Sequence, residues 1–236
     1  MEKQFTDADF SGGNLPSNNL QNSNTSLWNK VTNLDAVGVL NTIYAQTLDG
    51  VTGTESAYNL ARQYMKKSGS LSSKVDSLIR WQNTKCAASG AITGLGGFLT
   101  LPATVTADLG ASLYIQLRMV AAIALMGGHD IREDKIRTFA YLALCGDEVG
   151  DILSQAGVRV EDKSKAFNYV QKQLSKSAIQ KINAIIGAKM ITEVATGGAW
   201  SLAKAVPIVG SVVNGAINGV TTNTIGNTAK KIFIKE

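Results

Sequence analysis

Between Gly90 and His129 only Asp108 and Arg118 carry a charge. Isolated charges in an apolar helix are functional candidates in a membrane and cross-links between helices in a water-soluble core. Ten residues of α-helix turn through about 280°, so these two side chains do not pair along one face, and each needs a partner on another helix or at a water boundary. Tyr114 and Gln116 add hydrogen-bonding groups to the same stretch. His129 is the single histidine, which excludes a multi-histidine metal site, and beside Asp130 at a helix junction it reads as a turn residue ahead of a catalytic base. The ligand- or lipid-binding candidates are therefore Asp108, Tyr114, Gln116, Arg118 and His129.

Known chemistries find little support. Ser112 could be grouped with His129 and Asp130, but no nucleophile-elbow glycine pattern surrounds it. Cys145, in YLALCGDE, has no evident base and reads as a small buried residue, and Cys86 and Cys145 lie too far apart for metal-ligand spacing. GLGGFLT follows no strand and has the wrong spacing for a dinucleotide fingerprint. No catalytic residue, metal site or cofactor is assigned. Lys165, Lys172, Lys176, Lys230 and Lys231, with Lys235, could face anionic headgroups, each contributing about 1 kcal/mol near such a surface; the plainer alternative is a solvated helix face plus a charged tail. Ile232, Phe233 and Ile234 among the tail lysines favour a surface anchor.

The elements that would position these residues are helical. Leu34, Val37, Leu40, Ile43 and Tyr44 recur at three- and four-residue steps, with Gly50 as a stop. Thr54, in TESA, is expected to cap a second helix that ends at Ser68-Gly69, and Ser70 to open a third carrying Val75, Leu78, Ile79 and Trp81. Gly94, Gly96 and Gly97 suggest a bend before Pro102, followed by a long helix from about Ala103 to Met126 that Gly127-Gly128 terminates. Asp130 is expected to cap the next helix, with Ile131, Ile136, Phe139, Ala140 and Ala143 on one side. Gly146 breaks it, Asp147 restarts it and Gly157 ends the following turns. An amphipathic helix is expected from about Glu161 to Ile186, with Phe167, Val170, Leu174, Ala178 and Ile185 opposite Lys165, Lys172 and Lys176. After Gly187 a second small-residue region begins.

No period-two alternation with hairpin signals occurs, so the fold class is all-α: a multi-helix bundle with two glycine-rich, apolar, hairpin-like elements. Of 23 glycines, seven lie between Gly90 and Gly128 and seven between Gly187 and Gly226. Pro102 and Pro207 divide the same two regions. Residues 1–26 form a polar Asn/Ser/Gly-rich leader, and 27–236 a single domain.

Of 236 residues, 44% are hydrophobic and 17% charged, against roughly 25% charged in an average soluble domain. Mean hydropathy is only +0.04, low for a polytopic membrane protein. The uncharged runs Cys86–Ala107 and Ala205–Ala229, 22 and 25 residues, are long enough to cross about 30 Å of hydrocarbon. Asn214, Asn218, Asn223 and Asn227 make the second a poor solitary span, because unpaired amides in lipid are costly. A soluble core, reversible insertion and stable spans all remain open. Net charge is +5 with scattered basic residues, which favours an anionic lipid surface over nucleic acid. The N-terminus lacks a signal-peptide pattern, so the expected location is cytoplasmic, peripherally or reversibly membrane-associated.

GAITGLGGFLTLPATVTADLGASLYIQLRMVAAIALMGGHD at 90–130 and KAVPIVGSVVNGAINGVTTNTIGNTAKKIF at 204–233 resemble the EcsC family of bacterial proteins. The resemblance rests on the glycine-rich turn Thr93–Gly97, the step Leu101-Pro102-Ala103, Asp108, and the corner Gly128-His129-Asp130. It extends from about residue 30 to the C-terminus. It implies association with transport or secretion and carries no catalytic motif. The leading expectation is a non-enzymatic, membrane-associated protein serving transport, secretion or envelope processes. Its expected partners are membrane lipids, a transporter or secretion component, or further copies of itself, with no nucleic acid. Two alternatives stand beside it: a membrane-perturbing, pore-forming effector, and a lipid-binding carrier or enzyme with its site near Asp108, Arg118 and His129.

Overall fold

A computed structural model describes residues 35–87, 107–158, 174–195 and 214–235. The leader at 1–26, both glycine-rich stretches up to residues 106 and 213, and the first half of the helix expected from Glu161 lie outside the described residues. The protein is all-α, and its described residues form eight α-helices: α1 Ala36–Asp49, α2 Ala57–Met65, α3 Leu71–Ala87, α4 Ala107–Met126, α5 Asp134–Leu144, α6 Val149–Gln155, α7 Lys176–Ala195 and α8 Asn214–Phe233. A 3-10 turn, Gly146–Glu148, joins α5 to α6.

Capping side chains start several of them. The Asp35 carboxylate accepts the Gly38 N–H at 2.8 Å, and Ser70 Oγ accepts the Ser73 N–H at 3.2 Å ahead of α3. Such caps satisfy donors that a first turn leaves unpaired. Ser56 rather than Thr54 caps α2, accepting the Asn59 N–H at 3.2 Å; Thr54 is drawn instead toward Tyr114. Asp130 does not cap α5. Its carboxylate accepts the Arg132 N–H at 3.0 Å within the preceding turn, and the helix begins four residues later.

Of the helix expected from about Glu161 to Ile186, the described part starts at Lys176 and extends past the expected end. Leu174 and Ser175 are not helical, and Ser175 Oγ takes the Ala178 N–H at 3.2 Å, so α7 is capped there. It also runs past Gly187 to Ala195. A Cβ at Gly187 would sit 3.1 Å from Val37 Cγ2, so this glycine serves close helix packing against α1 rather than helix termination.

α4 is the central helix, packed by α1, α2, α3, α5 and α8. Leu109–Met126 is, among the described residues, the one helix long and apolar enough to cross a membrane, and 83% of it is buried inside the protein. Leu113, Tyr114, Leu117, Met119, Val120 and Ile123 are fully enclosed. α4 therefore acts as the core of the bundle. At about 25 cal/mol per Å² of apolar surface, its burial is a dominant stabilising contribution.

The ends of α3, α4 and α8 follow from three contacts. Lys230 Nζ meets Asp76 Oδ1 at 2.6 Å, and Gly226 packs on Ile79, so α8 and α3 run antiparallel. Gly127, just past α4, lies against the carbonyl of Phe233, the last residue of α8; α4 and α8 run parallel. The C-terminus of α3 and the N-termini of α4 and α8 consequently share one end of the bundle. From that pole the chain continues into residue 88, returns at 107 and returns again at 214.

Candidate functional site

The described ligand candidates, Tyr114, Gln116, Arg118 and His129, lie at three places along and just past α4 and do not converge. Tyr114 and Arg118 stand one helical turn apart on the side that meets the loop between α1 and α2. The Tyr114 hydroxyl and Thr54 Oγ1 share a hydrogen bond of 2.6 Å. Arg118, only 6% exposed, donates from Nη1 to the Glu55 carbonyl at 3.1 Å, and its guanidinium lies 5.7 Å from the Tyr114 ring centroid. The loop is also held by Gly50 at φ +82°, where an added Cβ would crowd the Ser56 nitrogen at 3.0 Å. A buried guanidinium needs such acceptors to offset its lost hydration. The geometry is that of a clasp between loop and core helix.

Gln116 points the other way, about 20° around the helix from Gly127 and so toward α8. By the register of the three helices, Gln116 of α4, Thr222 of α8 and Gln82 of α3 lie at one level; Gln116 and Thr222 stand eleven residues before Gly127 and Phe233. All three are essentially inaccessible to solvent. Gln82 Nε2 and Oε1, Gln116 Oε1 and Thr222 Oγ1 have no hydrogen-bond partner. These three neutral polar side chains form one layer within the core.

His129 sits at the far end. Its Nε2 is 3.1 Å from the Phe233 carbonyl, and its ring packs edge-on against Phe233 at 5.3 Å. The orphan carbonyl at the end of α8 thus gains a donor, and the imidazole acts as a structural latch. Asp108 falls in the first turn of α4, but its side chain is outside the described residues.

The lysine candidates separate as well. Lys165 and Lys172 lie outside the described residues, and Lys176 and Lys231 are exposed. Lys230 is bound to Asp76 across α3 and α8. Ile232, Phe233 and Ile234 are buried at 2%, 1% and 8% exposure, so they belong to the core and are not presented as an anchor.

Cys145 is fully buried, and loss of hydration pushes its thiol up to about 12. At neutral pH it is a protonated, unreactive apolar group. Tyr44 and Tyr141 are raised further by burial. The Tyr44 hydroxyl donates to the Ile131 carbonyl at 2.9 Å and that of Tyr141 to Asn41 Oδ1 at 2.8 Å.

The feature that sequence reasoning passed over is an open groove of about 420 Å³ between α2 and α3, lined by Tyr64, Lys67, Ser77, Arg80, Trp81 and Thr84. Its signal was available. Trp81 lies off the Val75–Leu78–Gln82 stripe that α3 buries, which leaves an aromatic on the outward side of an amphipathic helix.

Comparison with known proteins adds the following. Over 151 residues the chain is 30% identical to a Bacillus subtilis (strain 168) protein described as uncharacterized protein YdbA, a match covering 62% of this chain and 50% of the relative. The chain thus spans about half the length of that curated relative. No solved structure matches it. The model of the EcsC protein family matches residues 39–235, from within α1 to just past the end of α8. The chain belongs to the EcsC family.

Proposed function

We propose that this EcsC-family protein is a non-enzymatic, membrane-associated helical protein that docks on or enters a bilayer in support of transport, secretion or envelope processes. The observation that carries this reading is the shared pole of α3, α4 and α8. Two apolar, glycine-rich stretches of sequence, 88–106 and 196–213, adjoin that one end of the bundle. Between them they contain a single charged residue, Lys204. Because α4 and the C-terminal half of α8 are committed to the protein core, lipid contact is assigned to these flanking stretches rather than to the whole of 90–126 and 197–226.

The polar candidates support the same reading indirectly. Arg118 and His129 are engaged with main-chain carbonyls of the protein itself, and the described polar groups around α4 form a clasp, a core layer and a latch. The test is co-sedimentation of the full chain with vesicles of phosphatidylcholine and phosphatidylglycerol at low salt. Binding well above that of an unrelated soluble protein is expected. Recovery entirely in the supernatant overturns the reading. Release of an encapsulated dye on binding would move the assignment to a membrane-perturbing effector.

A further inference from the structure

The groove between α2 and α3 has a composition that fits one kind of surface. Trp81 is 51% exposed and Met65, at the end of α2, 45%. Tryptophan is highly buried on average, and it concentrates where an apolar phase meets water. Residues 56–84 contain Arg62, Lys66, Lys67, Lys74 and Arg80 against one carboxylate, Asp76. That carboxylate is already paired with Lys230 toward α8, so it does not neutralise the groove side.

The cations around the groove are organised. Lys67 Nζ lies 3.9 Å over the Tyr64 ring centroid and 3.3 Å from Ser77 Oγ. Lys74 Nζ donates to the Met65 carbonyl at 3.0 Å, which fixes the α2–α3 turn. Arg80 and Trp81 are adjacent on α3, and both are exposed. Trp81 stands six residues, about 9 Å along the axis, before the end of α3 at the shared pole. The groove therefore lies beside the end where the uncharged run beginning at Cys86 continues the chain.

We infer that Trp81, Lys67 and Arg80 form the headgroup-contacting surface of the protein, with an anionic bilayer as its occupant. The cations meet lipid phosphates, and the indole lies at the boundary between headgroups and acyl chains. The inference rests on the membrane reading above and makes it specific, because it shifts the surface contact from Lys172, Lys176 and Lys230 to the α2–α3 face. Charge complementarity and the adjoining apolar sequence select lipid over a second protein.

The experiment uses the full chain and vesicles with and without phosphatidylglycerol. Substituting Lys67→Gln together with Arg80→Gln is expected to weaken partitioning into anionic vesicles roughly 30-fold at low salt. A matched control, Lys176→Gln with Lys231→Gln, should change it no more than about threefold. In a Trp28→Phe/Trp200→Phe background, Trp81 emission should shift to shorter wavelength on binding and be quenched by lipids brominated near the headgroup. Circular dichroism establishes that each variant remains folded. Wild type that fails to sediment with any vesicle overturns the membrane reading and this inference together. Wild type that binds while the groove variant binds equally well overturns the inference alone, as does equal binding to neutral vesicles. A groove variant that loses affinity only for a single-stranded oligonucleotide, with vesicle binding intact, reassigns the surface to nucleic acid.

Discussion

The His129 imidazole and the Phe233 carbonyl are joined at 3.1 Å across 104 residues of sequence, tying the corner after α4 to the end of α8. Gly127 presses on the same carbonyl so closely that a Cβ there would collide with main-chain oxygen. His129→Ala is expected to lower stability by about 1 kcal/mol through the lost hydrogen bond. Gly127→Ala should cost about 2 kcal/mol or more, because backbone rather than a flexible side chain must move. Urea unfolding of both variants checks the order: the glycine change should be the more damaging.

Thr54 and Tyr114 form another long-range tie, between the α1–α2 loop and the core helix. Tyr114→Phe and Thr54→Val should each destabilise by about 1 kcal/mol. In a double-mutant cycle the pair should show a coupling of about 0.5 kcal/mol or more. Strict additivity would mean that the contact contributes nothing.

The polar layer responds in the opposite sense. Thr222 Oγ1 is fully buried and lacks a hydrogen-bond partner. Thr222→Val removes a desolvated hydroxyl and keeps the shape, so stability should rise by about 1 kcal/mol. A fall in thermal midpoint for this variant would mean that the hydroxyl has a partner in solution.

Alkaline pH should destabilise the fold. Burial raises the Cys145 thiol to about 12, above roughly 8.5 for an exposed thiol. The unfolded chain therefore loses this proton first. The stability contributed by the neutral thiol is complete below about pH 8.5 and declines as pH climbs toward 12. Tyr44 and Tyr141, also raised by burial, extend the loss above about pH 10. Urea midpoints between pH 7 and 11 should fall steadily. In a Cys86→Ser background, Cys145 should resist alkylation at pH 8 until urea unfolds the chain.

Much of the architecture was legible because helical periodicity and glycine punctuation are local signals. Gly127-Gly128 ends α4, Gly146 breaks α5, and Ile131, Ile136, Phe139 and Ala140 are buried as their spacing indicates. Errors arose where tertiary contacts override local rules. Thr54 has a capping residue's chemistry but answers to Tyr114, sixty residues away. Gly187 has a terminator's identity, yet it is retained within α7 because Val37 needs the space. The same limit governed the site. Whether Lys230 is a surface charge or half of an ion pair depends on Asp76, 154 residues distant, and hydropathy alone does not distinguish a membrane span from a helix enclosed by five others. Trp81 was overlooked for a related reason: its significance lies in exposure, which spacing along one helix indicates only after the buried stripe is known.

The gathering of three helix termini at one pole has a mechanical consequence. Hydrogen-bonded helices are stiff along their axes, so a push or pull delivered through residues 88–106 or 196–213 enters the molecule as axial load rather than as bending of a loop. A load carried by α8 alone, relative to its neighbour α3, would become shear along the rows that hold Gly226 to Ile79 and Lys230 to Asp76. Sliding by one turn, about 5.4 Å, would break the ion pair and drive the Ile79 side chain off its glycine seat, leaving the bundle either in register or discretely out of it.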